Sequence, residues 1–181
     1  MTQSSEEVRA VLQRFQDGYT ARVVAQLDEF MRLFAPAEDI ELIGVGAAKR
    51  AANEWFIGHG AIRDIIEGDW VYWGDVTLDV AGAKITVSGE VAWLTTTGTV
   101  TQTQAFDKAL PQYLQQMKAI LDNAELDSDT QLMEATHFGL RRLRERSKGL
   151  GYRWPFTFMA VLLNIDEQWR FHTIHWSMPV D

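Results

Sequence analysis

Apolar residues recur at helical spacing through the first part of the chain. The first amphipathic segment opens at Ser4 and Glu7, which fit the S-x-x-E capping box. A second begins at Thr20, the predicted cap, and ends at Pro36. Each segment carries one apolar stripe that another part of the molecule must cover. We therefore expect two consecutive helices packed on a sheet.

The apolar pattern then changes from helical spacing to alternation. A short apolar run at 40–45 predicts a strand, and residues 60–66 predict a short helix that ends near Trp70. After Trp70, alternating residues predict short strands at 76–80 and 85–87. Longer runs rich in β-branched and aromatic residues predict strands at 91–102, 156–165 and 169–178.

Helical spacing returns between the strands at 91–102 and 156–165. Residues 105–150 predict two amphipathic helices, with Pro111 near the start of the first and Ser128 or Asp129 capping the second. A short connection favours antiparallel packing of such a pair. We expect this hairpin to cover either the mouth of a cavity or a partner subunit, because its apolar stripes would otherwise lie open to water.

The order of elements indicates the fold class. Helices come first, and strands follow with the helical hairpin inserted between them, so the pattern is typical of an α+β protein and not of a doubly wound sheet. The length suits one domain over 1–181, with 105–150 as an insertion.

Four local phrases carry a resemblance to a known family. They are RFQDGY at 14–19, EWFIG at 54–58, GEVAW at 89–93, and WR at 169–170 leading to HWSMP at 175–179. In this order the chain resembles the SnoaL-like branch of the nuclear transport factor 2-like superfamily. That resemblance implies a cone-shaped fold, in which N-terminal helices pack into a strongly bent antiparallel sheet and leave a cavity. The insertion at 105–150 lies outside the family pattern.

Charge and composition limit the classes of partner that the protein is expected to bind. The formal net charge of −8 and the pI near 5.0 disfavour nucleic acid and anionic membranes, which both need a basic face. The arginine-rich run at 141–146 is better explained as a solvated helix face. No run reaches the roughly 20 apolar residues that span a bilayer. The polar, acidic N-terminus does not resemble a signal peptide, so a cytoplasmic location is expected.

No metal or other cofactor is expected. The sequence has no cysteine, which removes thiolate ligands and disulfides. His172 and His175 are three apart on one predicted strand, so strict alternation would point them to opposite faces.

His175 is the first candidate for chemistry. Alternation places it with Thr173 and Ser177 on one face of the last strand, and that face lines the cavity if it looks inward. A histidine there could act as an acid or base near neutral pH, with Glu41 on the first strand as its carboxylate partner. The alternative is a structural histidine held by a backbone group.

The other candidates are predicted to contact a ligand. Trp55, Trp73 and Tyr19 could line a pocket for a flat apolar molecule, although packing in the core explains tryptophans equally well. His59 lies where a loop meets a helix, and the backbone N–H groups at such a helix start could bind an anion. The alternative is an exposed histidine at the helix start with no functional role. Ser177 shares the face of His175 and joins this set.

Three functional hypotheses follow. The strands at 91–102 and 156–165 contain no Asp, Glu, Lys, Arg or His, so we favour binding of a small, mainly apolar molecule in the cone. The resemblance also allows an isomerase, cyclase or dehydratase acting on polyketide-like or steroid-like substrates through His175 and Glu41. The third hypothesis is an assembly module, a homodimer formed through the exposed sheet face and extended by the hairpin.

Overall fold

The computed structural model describes residues 2–45, 47, 49–51, 54–103 and 106–178, without the side chains of 72, 106–109, 141 and 144–146. The chain divides into two units. Unit 1 comprises Met1–Val100 with Trp154–Asp181, and unit 2 comprises Thr101–Arg153. Unit 2 therefore contains the predicted insertion at 105–150. That both units form a single domain stays a prediction.

The described residues form five α-helices and seven strands. The helices are α1 Gln3–Ala21, α2 Leu27–Phe30, α3 Gly58–Tyr72, α4 Phe106–Leu121 and α5 Ser128–Ser147. The strands are β1 Glu41–Ile43, β2 Trp55–Ile57, β3 Asp75–Leu78, β4 Lys84–Ser88, β5 Val91–Thr101, β6 Arg153–Ile165 and β7 Gln168–Ser177. No described helix is both long and apolar enough to cross a membrane.

Helix α1 differs at its start from the predicted capping box. Thr2 is the cap, since its hydroxyl accepts a hydrogen bond from the Ser5 N–H at 3.3 Å. The helix ends at Arg22, whose backbone is left-handed with φ of 50°. The Arg22 guanidinium donates to the carbonyl oxygen of Trp73 at 3.1 Å, which ties the end of α1 to the chain beyond α3.

The second predicted helix is wrong as a continuous element. Between α1 and β1 the chain forms two short 3-10 turns, Val24–Gln26 and Met31–Leu33, on either side of the four-residue α2. The left-handed residue at 22 stops α1, and no side chain caps the turns that follow. The segment nevertheless buries Leu27, Phe30, Met31 and Phe34 of the predicted apolar stripe, whereas Val23 and Val24 at its start are exposed.

The sheet of unit 1 has the strand order β2-β1-β7-β6-β5-β3, with β4 also paired to β5. This confirms a strongly curved, unclosed sheet with helices packed on it. One detail corrects the expectation of an antiparallel sheet, because β1 pairs with β7 in parallel. Strand β2 covers the other edge of β1 as an antiparallel neighbour.

A β-bulge in β7 corrects the predicted alternation along that strand. Val161 pairs with Thr173 and Leu162 pairs with Phe171, so His172 has no opposite residue in β6. Phe171 and Ile174 are three apart and both fully buried. Strict alternation would have separated them. The same bulge removes the basis for placing His172 and His175 on opposite faces.

The core of unit 1 is a cluster of aromatic rings centred on Phe15. The Phe15 ring lies 5.0 Å from Tyr19, 5.3 Å from Phe30 and Phe171, and 5.5 Å from Phe158, measured between ring centroids. These rings come from α1, α2 and both long C-terminal strands. They fill the space between α1 and the inner face of the sheet.

Unit 2 forms the predicted antiparallel hairpin, in which α4 and α5 contact each other through aromatic side chains. Tyr113 packs edge-on against Phe138, and the Arg142 guanidinium lies 5.7 Å and 5.3 Å from their ring centroids. Ala135 is buried between the helices. At the base, Gln102 exchanges backbone hydrogen bonds with Tyr152 and Gly151, each 2.9 Å long.

Both predicted starts of the hairpin helices need correction. Helix α4 begins five residues before Pro111 and carries that proline inside it. Helix α5 is capped by Asp127, whose carboxylate accepts the Thr130 N–H at 2.9 Å. Hydrogen bonds from the Thr130 backbone and hydroxyl lower the pKa of Asp127. A charged carboxylate at this position also suits the positive end of the helix dipole.

Replacing Phe15 with alanine is expected to lower the free energy of unfolding by about 3–5 kcal/mol, because the fully buried ring would leave a cavity in the cluster. Urea denaturation monitored by circular dichroism measures this change. Val24→Ala is the control, since Val24 is exposed and should change stability by less than about 0.5 kcal/mol. Equal effects for the two variants would contradict the central place of Phe15.

Candidate functional site

His175 and Ser177 lie on the face of the sheet that points away from α1. Their neighbours Ile174 and Trp176 are buried in the core, so alternation turns His175 and Ser177 outward. In β6, Met159 pairs with His175 and Thr157 with Ser177. These residues border an open pocket of about 580 Å³. Among the residues the structure describes, the His175 ring has no hydrogen-bond partner.

Glu41 lies on the same outward face. Its strand neighbour Leu42 is buried opposite Ile174, whereas Glu41 pairs with Thr173. The Glu41 carboxylate forms an ion pair with Arg50 at 2.9 Å and is only 17% exposed. The predicted partnership of Glu41 and His175 inside the cone is therefore corrected, because both side chains point away from the core.

Trp55 continues the outward face to the edge of the sheet. It pairs with Ile43, which itself pairs with His175, so the three side chains form a row across β2, β1 and β7. The Trp55 indole N–H is buried and has no acceptor among the described residues. Trp55 thus shares the outward face with His175, with β1 between their strands.

Tyr19 and Trp73 are the two predicted ligand contacts that lie inside. The Trp73 ring packs edge-on against Trp176 at 5.5 Å. The buried Tyr19 hydroxyl donates a hydrogen bond to the Asp69 carboxylate at 3.0 Å. Burial and the nearby Asp69 charge raise the pKa of Tyr19 well above 10.0. Sequence reasoning missed Asp69, since it reads only as the end of a helix.

His59 has a structural contact at the start of α3. One ring nitrogen, Nε2, lies 2.7 Å from the Ala35 carbonyl oxygen and donates to it when it carries the proton. This bond joins α3 to the segment that precedes β1. The seven predicted residues therefore occupy three places, namely the core, the outward sheet face and the start of α3.

A groove that the sequence did not indicate runs along α1 in unit 1. It has a volume of about 830 Å³ and lies between α1, the segment at 23–33, Trp70 and the turn that joins β6 to β7. Buried apolar side chains form its floor. They are Val11, Phe30, Leu33, Trp70 and Trp169.

Two indole groups in this groove lack hydrogen-bond acceptors. Trp70 is 6% exposed and Trp169 is 4% exposed, and neither indole N–H has an acceptor among the described residues. The Nε of Arg170, which also lines the groove, is buried without an acceptor as well. A buried donor left unpaired costs about 1–3 kcal/mol. These donors are covered at present, so a ligand would recover that energy only if its acceptors reached them after a shift of the side chains that cover them.

The rim of the groove carries charges of both signs. Three arginines line it, Arg14, Arg32 and Arg170, together with four carboxylates, Glu7, Asp17, Glu29 and Glu167. Arg14 and Arg32 are exposed, so they can reach over a bound molecule. An apolar floor with a few polar groups at the edge is the usual composition of a small-molecule site.

The described part of the chain was expected to lack a cluster of metal ligands, and none occurs there. No set of three or more His, Asp or Glu side chains there is arranged to hold an ion. His172 lies beside Asp39, with Nε2 and Oδ1 3.5 Å apart. The second ring nitrogen of His172 contacts the Thr173 hydroxyl at 3.0 Å.

Comparison with known proteins begins with one family model. The model described as SnoaL-like domain matches residues 8–117. No curated protein matches the chain. The match covers α1, the strands through β5 and the start of the hairpin.

Solved structures show the same fold at low sequence identity. A nuclear transport factor 2-like protein of unknown function from Pseudomonas putida has a TM-score of 0.59 at 14% identity, covering 100% of this chain and 90% of its own. A candidate dehydratase of that family from Streptomyces avermitilis has a TM-score of 0.58 at 12% identity, with coverage of 97% and 96%.

A third similar structure is a candidate association domain of a calcium/calmodulin-dependent protein kinase type II from Thiobacillus denitrificans. Its TM-score is 0.54 at 13% identity, with coverage of 94% and 93%. At such identities these similarities establish the fold alone.

Replacing Tyr19 with phenylalanine is expected to flatten the loss of stability at alkaline pH. The folded state holds the Tyr19 proton above the unfolded pKa of about 10, so wild-type stability is complete below that pH. Above it, stability falls by up to about 1.4 kcal/mol per pH unit until the folded pKa is passed. Urea denaturation at a series of pH values between about 8 and 11 measures the slope.

Tyr152→Phe is the matched control, because Tyr152 is 39% exposed and its replacement should leave the slope unchanged. Identical slopes for wild type and Tyr19→Phe would show that Tyr19 does not carry the alkaline transition.

Proposed function

The chain belongs to the SnoaL-like domain family, and we propose that it binds a small, mainly apolar molecule in the groove along α1. The ligand class is the one expected from the sequence, but the site lies beside α1 and not in the centre of the cone. The proposed ligand carries hydrogen-bond acceptors that meet the indole donors of Trp70 and Trp169.

The observation that carries this proposal is the pair of buried indole donors in one groove. Most buried polar groups in proteins have a partner, so two unpaired donors that line the same groove favour a missing acceptor. The groove volume of about 830 Å³ lies within the range of about 300–1,000 Å³ that is usual for small-molecule sites.

Packing in the core argues for the groove over the centre of the cone. The rings of Phe15, Tyr19 and Phe158 are almost completely buried, and Phe15 contacts both of the others where a central ligand would sit. Opening that space would separate rings whose burial stabilises the fold by roughly 2–3 kcal/mol each. The groove is already open, and a ligand there would need only to uncover the N–H groups of the two tryptophans that line it.

Binding takes precedence over catalysis in this proposal. An isomerase, cyclase or dehydratase that uses His175 and Glu41 would need both side chains beside the substrate. On the outward sheet face His175 borders the open pocket, whereas Glu41 does not line it and is paired with Arg50. The similarity to a candidate dehydratase establishes the fold only. A second copy of the chain is the proposed macromolecular partner, and a cytoplasmic location stays a prediction.

The probe for the groove is 1-anilinonaphthalene-8-sulfonate, whose rings suit the apolar floor and whose sulfonate supplies acceptors. Trp169→Phe and Trp70→Phe keep an aromatic ring and remove the N–H. Each is expected to weaken binding about 2–10-fold, the usual worth of one hydrogen bond. Fluorescence titration of the folded protein measures the dissociation constant. Trp93→Phe is the control, because Trp93 lies exposed outside the groove.

A second pair of variants tests the location of the site. Ala10→Trp places a large ring in the groove and is expected to weaken binding of the probe at least about 10-fold. Ala25→Trp adds the same ring at an exposed position that does not line the groove, and should leave binding unchanged. Unchanged binding in Ala10→Trp, or an equal loss in both variants, would reject the groove as the site.

A further inference from the structure

An apolar stripe runs along the exposed side of α5. Its central residues are Met133, Thr136, Leu140 and Leu143, whose spacings of three and four residues place them on one side of a helix. Met133, Leu140 and Leu143 are each more than half exposed. The 3-4 spacing is the pattern of a coiled-coil seam. Such a seam is typical of helices that pair along their length.

The stripe is distinct from the surface that holds the hairpin together. Contact between α4 and α5 uses Tyr113, Ala135 and Phe138, which lie on another side of their helices. Helix α4 adds exposed leucines of its own at helical spacing. They are Leu110, Leu114 and Leu121. Each helix of unit 2 therefore has exposed apolar residues that the contact between the two helices does not use.

The charges along α5 indicate what covers this stripe. The first half of the helix contains Asp129 and Glu134, whereas the second half contains the arginine-rich run at 141–146. A second α5 laid antiparallel would place each acidic half beside a basic half. A parallel neighbour would place like charges together, which is unfavourable. The helix is thus complementary to itself in the antiparallel sense.

The stripe is also symmetrical about its middle. With a two-fold axis near residue 138, Met133 faces Leu143 of the second copy and Thr136 faces Leu140 of the second copy. Every apolar residue of the stripe then meets the stripe of the other helix. Closed two-fold symmetry of this kind is the commonest arrangement in homo-oligomers.

We propose that α5 pairs antiparallel with α5 of a second copy, and that the leucines of α4 extend this contact into a four-helix arrangement. The self-complementary charges and the symmetrical stripe both select a second copy as the occupant. The proposal concerns unit 2 alone, so it stands or falls independently of ligand binding in the groove of unit 1.

Light scattering after gel filtration of the full chain tests the pairing. Wild type is expected to be a dimer, and Leu140→Glu is expected to raise the dissociation constant at least about 10-fold by placing a charge in the seam. Leu140 is exposed, so the change should leave the helix content by circular dichroism unaltered. The control is Met159→Glu, which alters the exposed sheet face and should leave the dimer intact.

Three results would overturn the proposal. A wild-type monomer at every concentration would show that the stripe does not pair with a second copy. A dimer that survives Leu140→Glu, or that dissociates only with Met159→Glu, would place the interface on the sheet.

Cysteine crosslinking tests the relative orientation of the two α5 helices. The natural sequence contains no cysteine, so a disulfide can form only between the introduced residues. Met133→Cys and Leu143→Cys are prepared separately. In the antiparallel arrangement each variant alone stays uncrosslinked on oxidation, whereas a mixture of the two forms a disulfide-linked dimer. A parallel pair would crosslink each variant with itself, and that result, or no crosslinking in the mixture, rejects the proposed pairing.

Discussion

The packing of Phe15 against rings from α1, α2, β6 and β7 is the contact on which the rest of unit 1 depends. A helix laid into a curved sheet leaves a tapering space, and large rings from every wall fill it. Aromatic side chains suit this task because they bury a large area with few rotatable bonds. The position of α1 in turn sets the line of the groove, since the side of α1 that does not enter the cluster forms one wall.

Filling the core in this way decides where a ligand could bind. The interior offers packed rings, and polar links there, such as the hydrogen bond from Tyr19 to Asp69, already have both partners in place. Unpaired donors occur instead at the margin of the cluster, at Trp70 and Trp169. Both rings extend from the core into the groove. The same aromatic residues that exclude a ligand from the centre therefore supply the polar groups of the proposed site.

The register of β7 decides which way the candidate catalytic residues point. The bulge at His172 lets Phe171, Ile174 and Trp176 all enter the core. His175 and Ser177 consequently face outward beside Met159. One extra residue in a strand thus separates the histidine from the interior. Glu41 faces outward as well, because β1 pairs with β7 in the register that buries Leu42 against Ile174.

The sequence by itself determined the class of the fold, the long strands, the helical hairpin and the family. The fold class and the elements follow from periodicity, because amphipathic spacing is a local property that survives into the folded state. The family follows from the four phrases that carry the resemblance. The sequence also supplied the apolar stripe and charge pattern of α5. The prediction from sequence failed at the segment after α1, where the left-handed backbone of Arg22 interrupts a predicted helix and short turns follow.

Only the tertiary structure decided which face of each strand looks inward, and therefore which candidates share a site. Alternation gives two faces without saying which is buried, and a bulge exchanges them partway along a strand. The link between Tyr19 and Asp69 joins residues 50 positions apart, and the groove joins α1 to the turn before Trp169. Neither leaves a local pattern, because each depends on distant segments meeting in space.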